Sequence, residues 1–314
     1  MKAPVERAFI VRLLGHSRQQ PKFQALICWS AVSSSPAHPS TLAALGPVAL
    51  AKIQVDVTTR LGASSKPTAT GFKGLDASLH GGLRHGTVLA LTGAPGAGRT
   101  SLSLLIAYMA ARASVGVVFA ARGVDETELV ARLAARALRR SYPASEVTYG
   151  DIIAGHVYAD DAVRRAVNDA VDTVVQKVGA HLHFARIGAG DTVPLLAERS
   201  AQIWARYDRV LLVVDDIEGL AASEGSGDFA GRVTNVAYEL RRLADHGCAV
   251  VVTALERHAE LVAPAATLAA ELRPLPSEDG RSVPLDVIVR KNRVGATGSF
   301  RLRAVYGVSE FAEG

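Results

Sequence analysis

Gly93-Ala94-Pro95-Gly96-Ala97-Gly98-Arg99-Thr100 fits the pattern G-x-x-x-x-G-[K/R]-[S/T]. The apolar run Thr87–Thr92 precedes it, and a helical stretch opens at Arg99. Strand, glycine loop, then helix is the order that phosphate binding needs. Glycines let successive N–H groups turn inward onto phosphate oxygens, and the helix N-terminus adds partial positive charge. On this reading Gly93, Ala94, Pro95, Gly96, Ala97, Gly98, Arg99, Thr100 and Ser101 bind a nucleoside triphosphate, and Thr100 offers its hydroxyl to Mg²⁺. The plain alternative is an ordinary glycine-rich turn; the two flanks and Thr100 favour the P-loop. Arg99 stands where lysine is usual. It keeps the charge, but its planar fork has different hydrogen-bond geometry, so phosphate binding is expected to survive better than alignment for catalysis.

Outward from the loop, β-type runs at Thr87–Thr92, Val117–Ala120, His181–Ala185, Val210–Asp215 and Ala249–Thr253 alternate with helical patterns at about 99–113, 125–140, 160–178, 191–206 and 229–246. Such alternation predicts an α/β fold, a mostly parallel central sheet flanked by helices on both faces. After about residue 265 the pattern changes. Thr267–Leu272 and Leu285–Val289 flank Ser277-Glu278-Asp279-Gly280, which predicts a C-terminal β-hairpin.

The second expected site element is Val210-Leu211-Leu212-Val213-Val214-Asp215-Asp216, an apolar strand ending in acids. In a P-loop protein the acid at such a strand end holds Mg²⁺, directly or through water. Asp215 is the candidate; a helix cap or turn is the plainer reading. Strand residues alternate between faces, so Asp216 is expected to point away from the site that Asp215 serves.

Of 314 residues, 49% are hydrophobic, enough for a large core, and no apolar run is long enough for a membrane helix. Cys28 and Cys248 stand far apart, which excludes a cysteine zinc cluster and suits a reducing compartment, hence a cytoplasmic location. The net charge is +5, but residues 1–60 hold seven Lys/Arg against Glu6 and Asp56; the remaining 28 basic and 28 acidic residues balance. Basic excess therefore belongs to the N-terminal arm, and overall charge is weak evidence for a nucleic-acid-binding core. Residues 1–65 read as a poorly ordered arm and linker, with a short helix or extended structure in 40–60, and residues 66–314 as the folded domain. The acid-poor start also leaves a transit peptide open, whereas no compact apolar block supports a secretory signal.

Thr70-Gly71-Phe72-Lys73-Gly74-Leu75-Asp76, then Gly81-Gly82-Leu83 and Gly86, then the P-loop, resembles the C-terminal ATPase domain of DnaB-type replicative helicases, with features of RadA-type recombination ATPases. Glu128–Leu133, Val147–His156 and Lys291-Asn292-Arg293-Val294-Gly295-Ala296-Thr297-Gly298 extend the likeness, so that it spans about residues 66–313. The resemblance implies a RecA-like fold, ATP and Mg²⁺ as cofactors, a homo-oligomeric, hexameric ring, and action on single-stranded DNA in replication or repair. It also implies that Lys291 and Arg293 act in catalysis beside Arg99, reaching the γ-phosphate bound by a neighbouring subunit.

Three positions depart from the family. Arg99 is the first. Ala121-Arg122-Gly123-Val124 follows the second strand where the family carries a water-orienting Glu, and Ala254 stands where a polar sensor is usual. Losing the carboxylate forfeits help worth roughly 10²–10⁴-fold in rate. Hydrolysis is therefore expected to be impaired, with a nucleotide-binding pseudo-ATPase of regulatory or scaffolding role as the alternative. The stretch Glu218–Gly231, a candidate DNA loop, carries acids and no Lys or Arg, which weakens the DNA reading.

Overall fold

A computed structural model describes residues 66–223, 227–277 and 280–313. The expectations for residues 1–65, and the tip of the predicted turn at Glu278 and Asp279, lie outside the described residues. The elements are, in order, α1 (Lys73–Ser78), β1 (Val88–Gly93), α2 (Arg99–Arg112), β2 (Gly116–Ala121), α3 (Glu126–Ser141), α4 (Tyr149–Ile153), α5 (Asp161–Val178) and β3 (Leu182–Arg186). They continue with α6 (Val193–Trp204), β4 (Val210–Asp215), α7 (Phe229–Asp245), β5 (Ala249–Leu255), α8 (Ala259–Val262), β6 (Leu268–Pro274), β7 (Val283–Asn292), β8 (Gly298–Val305) and β9 (Glu310–Glu313).

The strands form one sheet in the order β3-β2-β4-β5-β1-β6-β7-β8-β9. From β3 to β6 every pairing is parallel. β6 to β9 are antiparallel, so the expected hairpin is there, but as part of a four-stranded extension. Strands β1, β2 and β4 are buried along their whole length, as continuous apolar runs in a parallel sheet should be.

Side chains alternate between two cores. Leu89 and Leu91, Leu211 and Val213, and Val251 join one, with α2 and α3. Val88 and Ala90, Leu212 and Val214, and Val250 and Val252 join the other, with α6 and α7. Local chemistry fixes the helix starts. Asp125 accepts from Glu128 N at 2.9 Å and Asp160 from Ala162 N at 2.7 Å, while Thr148 and Asp151 close a capping box at α4. Among the described residues no helix is long and apolar enough to cross a membrane.

The Thr70–Asp76 signature builds the fold. Asp76 accepts from Thr70 N at 2.7 Å and Thr70 Oγ1 at 2.8 Å, while Phe72 and Leu75 enter the first core. Burial pushes the Asp76 carboxyl up, and the Thr70 bonds oppose that.

Candidate functional site

Strand β1 delivers Gly93 to the C-terminal edge of the sheet, where open α/β sheets bind ligands. The loop then turns through left-handed residues Gly96 (φ 79°) and Gly98 (φ 86°), and α2 begins at Arg99. Helix geometry leaves the N–H groups of its first turn without intrahelical partners. Pro95 and Gly96 are exposed, Ala97 is buried in the first core, and Thr100 is half-buried at the opening of α2. Arg99 Nη1 is buried and has no hydrogen-bond partner in the protein. A guanidinium nitrogen withdrawn from water, at the N-terminus of a helix, fits an anion such as a nucleotide phosphate. The Ser101 hydroxyl lies 3.1 Å from Ser309 Oγ and accepts from Arg132 Nη1 at 2.8 Å, so its main-chain N–H is what remains for phosphate.

Asp215 ends β4 on the side of the sheet that carries α2. It is buried and accepts from Thr253 Oγ1 at 2.5 Å. Thr253, on β5, has the parity of Val251, which explains the meeting. Asp215 is thus held at the C-terminal edge that also carries the P-loop, a fit for an acid beside Mg²⁺. Asp216 lies one residue past the end of β4. Its carboxyl is pushed up to about 6 by burial, then by Glu218 and Asp215, while Arg99 draws it down. The charge of Arg99 at the loop is therefore felt by Asp216, and both acids belong to the same end of the sheet.

At the end of β2 the chain continues through Arg122, with no acid before Asp125. Arg122 lies over Gly219, where an added Cβ would come within 2.8 Å of Arg122 Cδ. Asp125 is used as the α3 cap, and Glu126 pairs with Arg186 at 2.8 Å. Ala254 has the parity of Val252 and is fully buried in the second core, which leaves no room for a polar sensor there.

Lys291 and Arg293 sit far from their own P-loop. Gly93 is in register with Leu272, whereas Arg293 N bonds Thr267 O at 2.9 Å, five residues back along the sheet. At roughly 3.3 Å per residue that is about 16 Å along the strand direction. Lys291 Nζ donates to Ala263 O at 2.5 Å and Pro264 O at 3.0 Å, and Arg293 Nη2 to Pro264 O at 2.5 Å. Burial, then Arg293 and Arg241, hold the Lys291 ammonium below its usual range. Asn292 anchors the turn through Ser78 O at 2.9 Å and Ala296 O at 3.0 Å. The cation pair thus lies away from Gly93–Thr100 of its own chain, tied to the Ala263 and Pro264 carbonyls.

Two groups near the strand ends carry no sequence signal of their own. Glu218 Oε1 accepts from Leu255 N at 2.8 Å and from His258 Nδ1 at 2.6 Å. The Phe229 ring lies 5.0 Å from the His258 ring, tilted 44° to it, and the Arg232 guanidinium lies 4.7 Å over the Phe229 ring. Only the acid-rich loop between them is legible in the sequence, because helix α7 and the turn after β5 converge solely in three dimensions.

A parallel sheet with a glycine loop after β1 and an acid at the end of β4 defines a RecA-like P-loop ATPase. The model of the DnaB-like helicase C-terminal domain matches residues 68–274, and the chain belongs to that family. Among solved structures, an ATPase domain aligns with TM-score 0.69 and 15% identity, covering 85% of this chain and 99% of that one. A DnaB-like replicative helicase, described together with its interactions with primase, aligns with TM-score 0.68 and 15% identity, covering 97% of this chain and 74% of that one. A search of curated protein sequences finds no significant match.

Proposed function

We propose that this chain is a DnaB-like ring ATPase of DNA replication or repair that binds ATP with Mg²⁺ and hydrolyses it poorly. Gly93–Ser101 would hold the phosphates, Thr100 and Asp215 the metal, and Lys291 and Arg293 would act on a neighbour's γ-phosphate. The bound metal would neutralise charge on the phosphates; Arg99 would supply the loop's own cation. Impairment rests on one observation: Asp125 and Glu126, the acids next along the chain after β2, are committed to a helix cap and to Arg186. Single-stranded DNA as a partner is supported by the half-exposed Phe229 with Arg232 and His258 beside it, and Arg257 bonded to His258, an aromatic-and-cation cluster of the kind that stacks bases.

The second reading is a pseudo-ATPase scaffold in which ATP serves assembly alone. The buried Ala254 favours it, since that position offers no polar group to report the γ-phosphate. A purified-protein ATPase assay with and without single-stranded DNA, beside a nucleotide-binding titration, separates the two. DNA-stimulated turnover supports the first, and binding without turnover under either condition supports the second.

A further inference from the structure

The segment from Leu255 to Pro264 is tied at both ends. At its start Glu218, three residues past Asp215, accepts from Leu255 N and from His258 Nδ1. His258 Nε2 accepts from Arg257 Nε at 3.2 Å, so Nδ1 carries the ring proton and donates to Glu218. At its finish the Ala263 and Pro264 carbonyls, past the end of α8, receive the Lys291 and Arg293 cations. Between these ties Val262 is buried in the second core, with Leu261 and Ala263 packed against it. A short segment with a buried middle and hydrogen-bonded ends passes displacement along its length, because packed groups shift together.

We propose that Leu255–Pro264 links the two nucleotide sites that one subunit touches, with Glu218 as the positioning residue at one end and the Ala263 and Pro264 carbonyls as the seat of the cation pair at the other. The inference rests on the reading that Lys291 and Arg293 serve a neighbour. A change at the subunit's own Asp215–Glu218 turn moves Leu255 and His258. The segment carries that movement to Ala263 and Pro264 and re-aims the cations across the interface. Coupling of this kind shows as a change in one site's equilibrium when the other is altered.

The test uses the full chain, with assembly followed by light scattering in Mg²⁺ with ATPγS or with ADP. A fluorescent ATP analogue measures nucleotide affinity in parallel. Glu218→Ala should weaken ATPγS-driven assembly by about tenfold, within the usual range for coupling between sites, while leaving nucleotide affinity unchanged. Glu218→Gln, which keeps an acceptor for Leu255 N and His258, should assemble nearly as the unmodified chain does. If Glu218→Ala fails to fold, His258→Gln reads the same tie and should show the same selective loss. Equal weakening with ATPγS and ADP would mark a merely structural role and overturn the proposal. Unchanged assembly in Glu218→Ala, with loss in Arg293→Ala, would overturn the link and leave the trans contact standing. Unchanged assembly in Arg293→Ala would instead remove the trans reading, and the link with it.

Discussion

The ring of Tyr306 lies against Gly98: a Cβ added to Gly98 would come within 2.6 Å of Tyr306 Cε1. The C-terminal strands thus form a floor for the phosphate loop, with Phe311 the next neighbour at 3.1 Å. A side chain at Gly98 would meet these rings. Gly98→Ala should cost about 2–3 kcal/mol, combining the left-handed backbone with the collision. Chemical denaturation measures it, and Tyr306→Ala in the same chain should recover part of the loss if the ring is the obstacle. Equal losses in the single and double variants would refute the contact. Gly96→Ala, with open space around it, should cost only about 1 kcal/mol for its backbone.

Restoring the family's polar sensor should fail. Ala254→Gln forces an amide into a packed apolar core, a change expected to cost about 2–4 kcal/mol. Thermal denaturation should show a clear fall in melting temperature and no gain in ATP turnover. Arg99→Lys with Arg122→Glu is the milder route to recovered hydrolysis, since Arg122 is exposed.

Asp216 makes the stability of the nucleotide- and metal-free protein depend on pH. Its folded-state pKa, about 6, exceeds the ordinary aspartate value of 3.8, so between these values the folded state binds more protons than the unfolded state. The sign follows: stability falls as pH rises through that window. Asp216→Asn should flatten the slope and raise stability at pH 7 by on the order of 1–2 kcal/mol, allowing for screening of a partly exposed group. Identical slopes for the two proteins across that window would show that Asp216 is not responsible.

Phe229→Ala should weaken binding of single-stranded oligonucleotides by about 1–3 kcal/mol if the ring stacks bases. Fluorescence anisotropy at two salt concentrations separates this from loss of charge. The Arg257→Ala variant should mainly reduce the salt slope, whereas Phe229→Ala should leave the slope alone. An oligonucleotide affinity indifferent to both would remove this cluster from the DNA path.

The parallel core was legible because β1, β2 and β4 are buried on both faces, so each is written as an unbroken apolar run. Strands β8 and β9 were not anticipated, although Phe300, Leu302 and Ala304 alternate with Ser299, Arg301 and Arg303 in the manner of a one-sided strand. Short antiparallel strands carry a weaker signal than the central runs. At the site, the loop and Asp215 could be found by motif because backbone order dictates them. The Glu218–His258 tie, the Phe229–His258 contact and the floor under Gly98 depend on residues distant in sequence meeting in space, with no local pattern to announce them.

Whether ATP is held at Gly93–Thr100 and Asp215 but poorly hydrolysed is tested most directly by identifying the nucleotide that stays on the protein. The full chain is incubated with radiolabelled ATP, Mg²⁺ and single-stranded DNA, separated rapidly from free nucleotide, and its bound label is resolved. Bound label is predicted to remain ATP over many minutes, with turnover at least about 10²-fold below the roughly 10 s⁻¹ typical of enzymes. Bound label recovered as ADP within seconds, or no bound label at all, would contradict it.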